Sequence, residues 1–221
     1  MTENRQITYR SEVLRKGIHF LSLSIPVMYA LLNRETVLYI LVPITVVFVT
    51  VDIAGHRSGL VRTVLLRYFG FMMRTHELEV NRLTLNGASY VLIAACLCIM
   101  VFPKLIAVTA FAILIVSDIC AALVGRRFGK HKFLDKSLEG TLAFAASAVI
   151  VVMIIARLFA ESLFNESTLF VFAGVAGSLV GAVIENLSPR FRMDDNVSIP
   201  LSIGAAMWVI ALLVGGVSFT H

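Results

Sequence analysis

The sequence predicts an all-α, polytopic integral membrane protein with about seven transmembrane helices and one amphipathic helix at the cytoplasmic interface. Three observations carry this expectation. Hydrophobic residues make up 58% of the 221 positions and the mean hydropathy is +0.89, against roughly 45–50% apolar content in soluble domains. The apolar residues gather in runs of about 20, the length that crosses roughly 30 Å of hydrocarbon. The basic residues fall between those runs, and mostly on one side. That distribution excludes the nucleic-acid partner that a net charge of +5 would otherwise bring to mind, because no single soluble face is basic. Residues 1–221 are expected to form a single transmembrane domain.

Seven segments meet the length criterion: 14–32, 36–54, 84–102, 105–124, 139–160, 168–187 and 197–218. Only Pro103 and Lys104 separate the third from the fourth, which predicts a tight helical hairpin. The first 13 residues are polar and the following run is too long for a signal-peptide core, so no cleavable signal is expected. With the N-terminus placed inside, 16 of the 19 Lys and Arg residues fall on the cytoplasmic side, leaving Arg34, Lys104 and Arg157 outside. This predicts a cytoplasmic N-terminus and an external C-terminus. Cys96, Cys98 and Cys120 all lie within apolar runs and lack zinc or disulfide spacing, so they read as small buried hydrophobes.

Residues 56–82 are too polar to span. Leu60, Val61, Val64, Leu65, Tyr68, Phe69, Met72 and Met73 recur at helical spacing between Arg57, Arg62, Arg67 and Arg74. This is the pattern of a helix lying in the interface, with arginines for lipid head groups or a lip for a lipid substrate.

An acid inside an apolar run is costly and is therefore a functional candidate. Asp118 lies six residues from the end of the fourth span, roughly 9 Å deep at 1.5 Å per residue. Asp52, Glu139, Glu185, Asp194 and Asp195 cluster toward the same membrane face. Several carboxylates beside a basic loop suit a divalent cation holding phosphate oxygens. Asp118 also reads as a buried acid paired with an arginine for packing, and Asp52 as an interfacial group.

The loop Gly125-Arg-Arg-Phe-Gly-Lys-His-Lys132 supplies glycines for close backbone approach, with Arg126 and Lys130 among its charges. It lacks the spacing of a Walker loop, and a basic loop is also what topology requires on that side. The block Lys136-Ser-Leu-Glu-Gly-Thr141 is more informative. Ser137 is placed to cap the fifth span, and amides at a helix N-terminus attract phosphate. Lys136 adds charge and Gly140 admits a close ligand. Arg15, Lys16 and His19 open the first span, Arg15 and His19 sharing a face at i, i+4. Asn86, Gly87 and Asn196 complete the polar set.

These motifs resemble a known family. Arg15-Lys16-x-x-His19, Asp118-x-x-Ala121-x-x-x-Gly125-Arg126-x-x-Gly129, Lys136-Ser137-x-Glu139-Gly140-Thr141 and Asp194-Asp195-Asn196-x-x-x-Pro200-Leu201 are similar to those of dolichol kinase, phytol kinase and yeast CTP-dependent diacylglycerol kinase. The resemblance runs from about Glu12 to Leu201, and the Lys136–Thr141 block is its most specific part. The central block more distantly resembles CDP-diacylglycerol synthase, but Asp194-Asp195-Asn196 stands where that enzyme carries its own C-terminal signature.

The resemblance implies a membrane kinase that moves the γ-phosphate of a nucleoside triphosphate, CTP by preference, to the hydroxyl of a polyprenol, phytol or diacylglycerol, with Mg²⁺ as cofactor. On this expectation the catalytic residues are Asp118, Lys136, Glu139 and Asp195. Metal ligands come from Asp118, Asp194, Asp195 and Glu185. Phosphates are held by Gly125, Arg126, Gly129, Lys130, Ser137, Gly140 and Thr141, with Arg15, Lys16 and His19 at the way in. Which acid serves as base is left open. The alternatives are a CDP-lipid synthase and a non-enzymatic lipid transporter or binding protein. Transporters of that kind carry inverted halves or matched broken helices, and the sequence shows neither.

Overall fold

The computed structural model describes residues 9–69, 85–160, 167–188, 190 and 193–215. Among these residues the fold is helical except for one small hairpin. In chain order the elements are α1 (Tyr9–Leu21), α2 (Ser24–Leu31), α3 (Arg34–Arg57), α4 (Gly59–Phe69), α5 (Gly87–Val101) and α6 (Lys104–Phe128), then β1 (Lys132–Phe133), β2 (Lys136–Ser137), α7 (Leu138–Ile155), α8 (Ser167–Leu187) and α9 (Asp195–Gly215). A π-helical turn, Ala156–Ala160, continues α7.

Five helical stretches are long and apolar enough to cross a membrane: α3, α6, α7 through Phe159, α8 and α9. The other two expected spans are shorter. α5 has 15 residues, and the first run is divided into α1 of 13 and α2 of 8. The division has a local cause. Pro26 has no N–H to give the carbonyl of Ser22, and that carbonyl instead takes the Ile25 N–H at 3.0 Å, tightening the turn. The expected hairpin at Pro103 is present, with α5 ending at Val101 and α6 starting at Lys104. The amphipathic stretch expected over 56–82 begins later, because α3 runs on to Arg57. Its described part is α4, with Leu60 and Val64 exposed, and residues 70–82 lie outside the described residues.

α6 is the axis of the bundle. Burial covers 78% of its apolar stretch, against 17% for α3. α7, α9, α2, α5 and α1 pack around it, α8 closes against α7 and α9, and α3 stands outside on α5 and α4. Ile113, Leu114 and Ile115 of α6 meet a core that includes Phe144, Phe170, Ile203 and Met207, all fully buried. In lipid such helices are held by close packing, because leaving the solvent gains little. α8 supplies that closeness with a glycine stripe: a Cβ on Gly174 would lie 2.5 Å from Val152 and one on Gly181 2.6 Å from Ile203.

The two ends of the bundle differ in chemistry. At the end where α6 begins, Asn33 caps α3 by accepting the Thr36 N–H at 2.9 Å. Arg34 donates to the Phe102 carbonyl at 2.8 Å and Lys104 to the Leu32 carbonyl at 2.9 Å. Two of the three basic residues that break the charge asymmetry thus tie neighbouring turns together. The carboxylates gather toward the other end. All three cysteines are free thiols, Cys96 and Cys98 buried and Cys120 partly so.

Candidate active site

Asp118 lies on α6 about 15 Å before the helix ends, at 1.5 Å per residue. It is buried, and α1 supplies its partners. Lys16 donates to Asp118 Oδ2, and His19 Nε2, one turn on, stands 3.8 Å from the same oxygen. Lys16 is itself buried. The packing alternative anticipated an arginine, but the partner is this lysine.

A second ion pair joins half-buried Lys136 to buried Glu185. Lys136 Nζ is 2.6 Å from Glu185 Oε1 and 3.8 Å from Asp195 Oδ2. Acids from α6, α8 and α9 are thus paired with two lysines, one from α1 and one from the hairpin before α7.

The hairpin positions Lys136. β1 and β2 pair antiparallel, with Phe133 opposite Lys136, and Leu134 makes the turn at φ 53°. Asn186, buried on α8, accepts the backbone N–H groups of Asp135 at 3.0 Å and Lys136 at 3.3 Å. Its Nδ2 donates to Thr141 Oγ1 at 2.6 Å. Arg190 grips Asp135 with two hydrogen bonds of 2.6 and 3.2 Å. Glu185 thus holds the lysine's ammonium while its neighbour Asn186 holds the backbone.

Ser137 caps α7, its Oγ accepting the Gly140 N–H at 3.2 Å. Gly125, Gly129 and Gly140 crowd that oxygen: a Cβ on any of them would lie 2.9 to 3.0 Å from it, and one on Gly129 only 2.2 Å from the Gly125 carbonyl. The end of α6 and the start of α7 meet here without side chains between them. Arg126 and Lys130 lie exposed beside this junction.

Other expected site residues have different neighbours. Glu139 turns outward to His131, with Oε1 2.7 Å from Nδ1. Asp194 caps α9, accepting from Asn196 N at 2.9 Å and Nδ2 at 2.7 Å. Asp52 takes three hydrogen bonds from the start of α5: from Asn86 N at 2.9 Å, Asn86 Nδ2 and Ser89 Oγ at 2.6 Å. It ties α3 to α5.

The acids bear on whether Mg²⁺ fits. Among the described residues no three His, Cys, Asp or Glu side chains are grouped to hold a metal by themselves. Mg²⁺, however, keeps several waters and commonly takes one or two carboxylates plus substrate phosphates. Glu185 Oε2 is buried and has no hydrogen-bond partner among the described residues, and Asp195 is its neighbour. This donor set fits an ion that arrives with a nucleotide, and does not fit a resident metal.

A cavity of about 510 Å³ opens beside the cluster. Asp118, Asp195, Lys16 and His19 form its polar end, and Ile18, Val47, Phe48, Val51, Leu65 and Val91 its apolar wall. The sequence reading did not single out Asn186, Asp135 or Ser89. The available signal was the Glu185-Asn186 pair, two polar residues at the end of an apolar span.

Comparison with known proteins adds to this geometry. No family model matches the chain, and no solved structure matches it. An uncharacterized protein of Rickettsia prowazekii is 28% identical over 191 residues, 86% of this chain and 90% of that protein. CTP-dependent diacylglycerol kinase 1 of Schizosaccharomyces pombe is 30% identical over 151 residues, 65% of this chain and 67% of the kinase. Dolichol kinase of Saccharomyces cerevisiae is 31% identical over 90 residues, 38% of this chain but only 16% of that longer enzyme. With its apolar helices, the chain is an integral membrane protein, and it belongs, as a distant member, to the lipid kinase family that includes CTP-dependent diacylglycerol kinase and dolichol kinase.

Proposed function

We propose that the protein is a single catalytic unit that transfers the γ-phosphate of a nucleoside triphosphate, CTP by preference, to the hydroxyl of a lipid alcohol at the cytoplasmic membrane face. One observation carries the reading. Asp118, paired with Lys16, and Asp195, facing Lys136, line one largely apolar cavity. A lipid hydroxyl and a phosphate chain need such a meeting point.

Phosphoryl transfer asks little covalent chemistry of the protein. Positioning and neutralisation of the spreading charge do most of it. In this reading Asp118, held by Lys16, orients the acceptor hydroxyl and takes its proton as the oxygen attacks phosphorus. Asp52 lines the same cavity but already accepts three hydrogen bonds, which favours Asp118 for this task. Lys136 meets the phosphates, with the α7 N-terminus behind Ser137 and Gly140, and with Arg126 and Lys130 outside. Glu185 and Asp195 would hold Mg²⁺, which neutralises phosphate charge when bound. The preference for CTP rests on the relative's name alone.

Label transfer tests the reaction. With Mg²⁺ and a panel of polyprenol, phytol and diacylglycerol, γ-labelled CTP is expected to leave its label on a lipid and α-labelled CTP to leave none. Attack at the γ-phosphorus breaks its bond to the β–γ bridging oxygen and releases CDP. Label from the α position would instead identify a cytidylyltransferase. No transfer from either, from protein that retains lipid but binds no nucleotide, would indicate a non-enzymatic lipid-binding protein.

The same reading places the N-terminus and the acid cluster in the cytoplasm, with seven crossings in which α1 and α2 count as one. In a cysteine-free background, a cysteine at exposed His131 should react with an impermeant reagent only from the cytoplasmic side. One at exposed Glu35 should react only from the other side. Labelling of both from one side would remove the topology and the cytoplasmic site together.

A further inference from the structure

We propose that the slot between α1 and α3 is the acceptor subsite, and that a long-chain lipid alcohol slides into it sideways from the bilayer. The tail then lies between Ile18 and Val47, and the hydroxyl points at Asp118. This rests on the lipid-kinase reading and adds the route and the residues that select the acceptor.

The two walls belong to different packing partners. α1 leans on α6, while α3 leans on α5 and α4, so the bundle leaves space between them. That space is the 510 Å³ cavity. Ile18 on one wall and Val47, Phe48 and Val51 on the other line the cavity and are also 41 to 59% exposed. An apolar residue that both lines a cavity and faces outward on a membrane helix marks a side opening toward hydrocarbon. Val47 and Val51 follow one another at i, i+4, forming a rail along α3. The rail leads one residue on to Asp52, which with Asn86 forms a polar floor whose hydrogen bonds are made within the protein. Asp118 lines the same cavity.

α4 adds Leu65 to the apolar wall of the slot. Gly55 makes this possible: a Cβ there would lie 2.7 Å from Leu65 Cδ1. The wall chemistry suits a hydrocarbon tail, which packs against apolar side chains much as it packs in the bilayer, whereas a triphosphate would lose its hydration there. The nucleotide then approaches from the Lys136 side, and the two substrates meet at Asp118 and Asp195.

The test reads acceptor and nucleotide separately. Ile18→Trp and Val47→Trp fill the slot from opposite walls at positions open enough to keep the fold, and Leu179→Trp, exposed on α8, is the control. Purified protein in nanodiscs is offered phytol or 1,2-dioleoylglycerol. Retained lipid is read by native mass spectrometry, acceptor KM by phosphotransfer and CTP affinity by equilibrium dialysis. The slot variants should lose retention and raise acceptor KM at least about tenfold, with CTP affinity and the control unchanged. Milder variants, Val47→Ala and Phe48→Ala, should shift acceptor KM and leave CTP affinity alone. Retention without phosphotransfer, lost in the slot variants, keeps the subsite and removes the kinase reading. Phosphotransfer indifferent to Ile18 and Val47, or CTP affinity falling in step with lipid retention, overturns the subsite. So does a wild type that neither retains nor phosphorylates either lipid.

Discussion

Lys136→Met is expected to cost the protein both stability and activity, and only the stability should be recoverable. Its ammonium sits 2.6 Å from Glu185, whose side chain is 5% exposed against 30% for the lysine. Removing one partner of a buried pair strands the other charge, at a typical cost of 3–5 kcal/mol. The lysine's partial exposure puts this pair at the low end, about 3 kcal/mol. Glu185→Gln should cost less, because Lys136 still faces Asp195 at 3.8 Å.

The double variant Lys136→Met/Glu185→Gln separates structure from chemistry. With neither charge of the pair left, most of the lost thermal stability in detergent should return, which is coupling between touching residues. Turnover should stay at least about a hundredfold down, because the cation proposed to meet the phosphates and one proposed Mg²⁺ ligand are both missing. Recovery of turnover together with stability would make the pair a packing device and move phosphate binding elsewhere.

Why this pair escaped the sequence reading is instructive. Lys136 and Glu185 were each chosen separately, one from a motif and one as an acid in an apolar run. Nothing in a linear chain joins them across 49 residues. Asn186 was invisible for the same reason, since its work is to hold the backbone of a hairpin that hydropathy does not mark. The helices were legible because apolar runs of membrane length allow few alternatives. The exception was the first run, where hydropathy reads on through Ser22 and Leu23 and the helix does not. Local rules worked at Ser137, whose capping needs only its neighbours. They do not reach the partner of Glu139, because His131 lies in a loop with no periodicity to place it. Lys16 and Asp118 are 102 residues apart, and only the packing of α1 on α6 makes them one unit.

That unit carries the largest expected effect. Asp118→Asn should lower turnover by about 10²–10⁴-fold, the range for loss of a positioned acid–base group, while CTP binding persists. The asparagine keeps the shape but neither holds Lys16 by charge nor takes a proton. Lys16, buried, is then left uncompensated, so some stability is lost as well. Asp118→Asn/Lys16→Met should restore stability and leave turnover low. Asp52→Asn is the internal comparison, because Asp52 lines the same cavity but spends its oxygens on the cap of α5. It should loosen the α3–α5 contact and lower kcat/KM by less than about tenfold, with most of that in acceptor KM. Steady-state kinetics on all four proteins, alongside thermal unfolding, decides the matter. Near-normal turnover in well-folded Asp118→Asn would take the reaction away from this carboxylate. A drop in Asp52→Asn as deep as in Asp118→Asn would show that the cavity's acids act together and that no single one orients the hydroxyl.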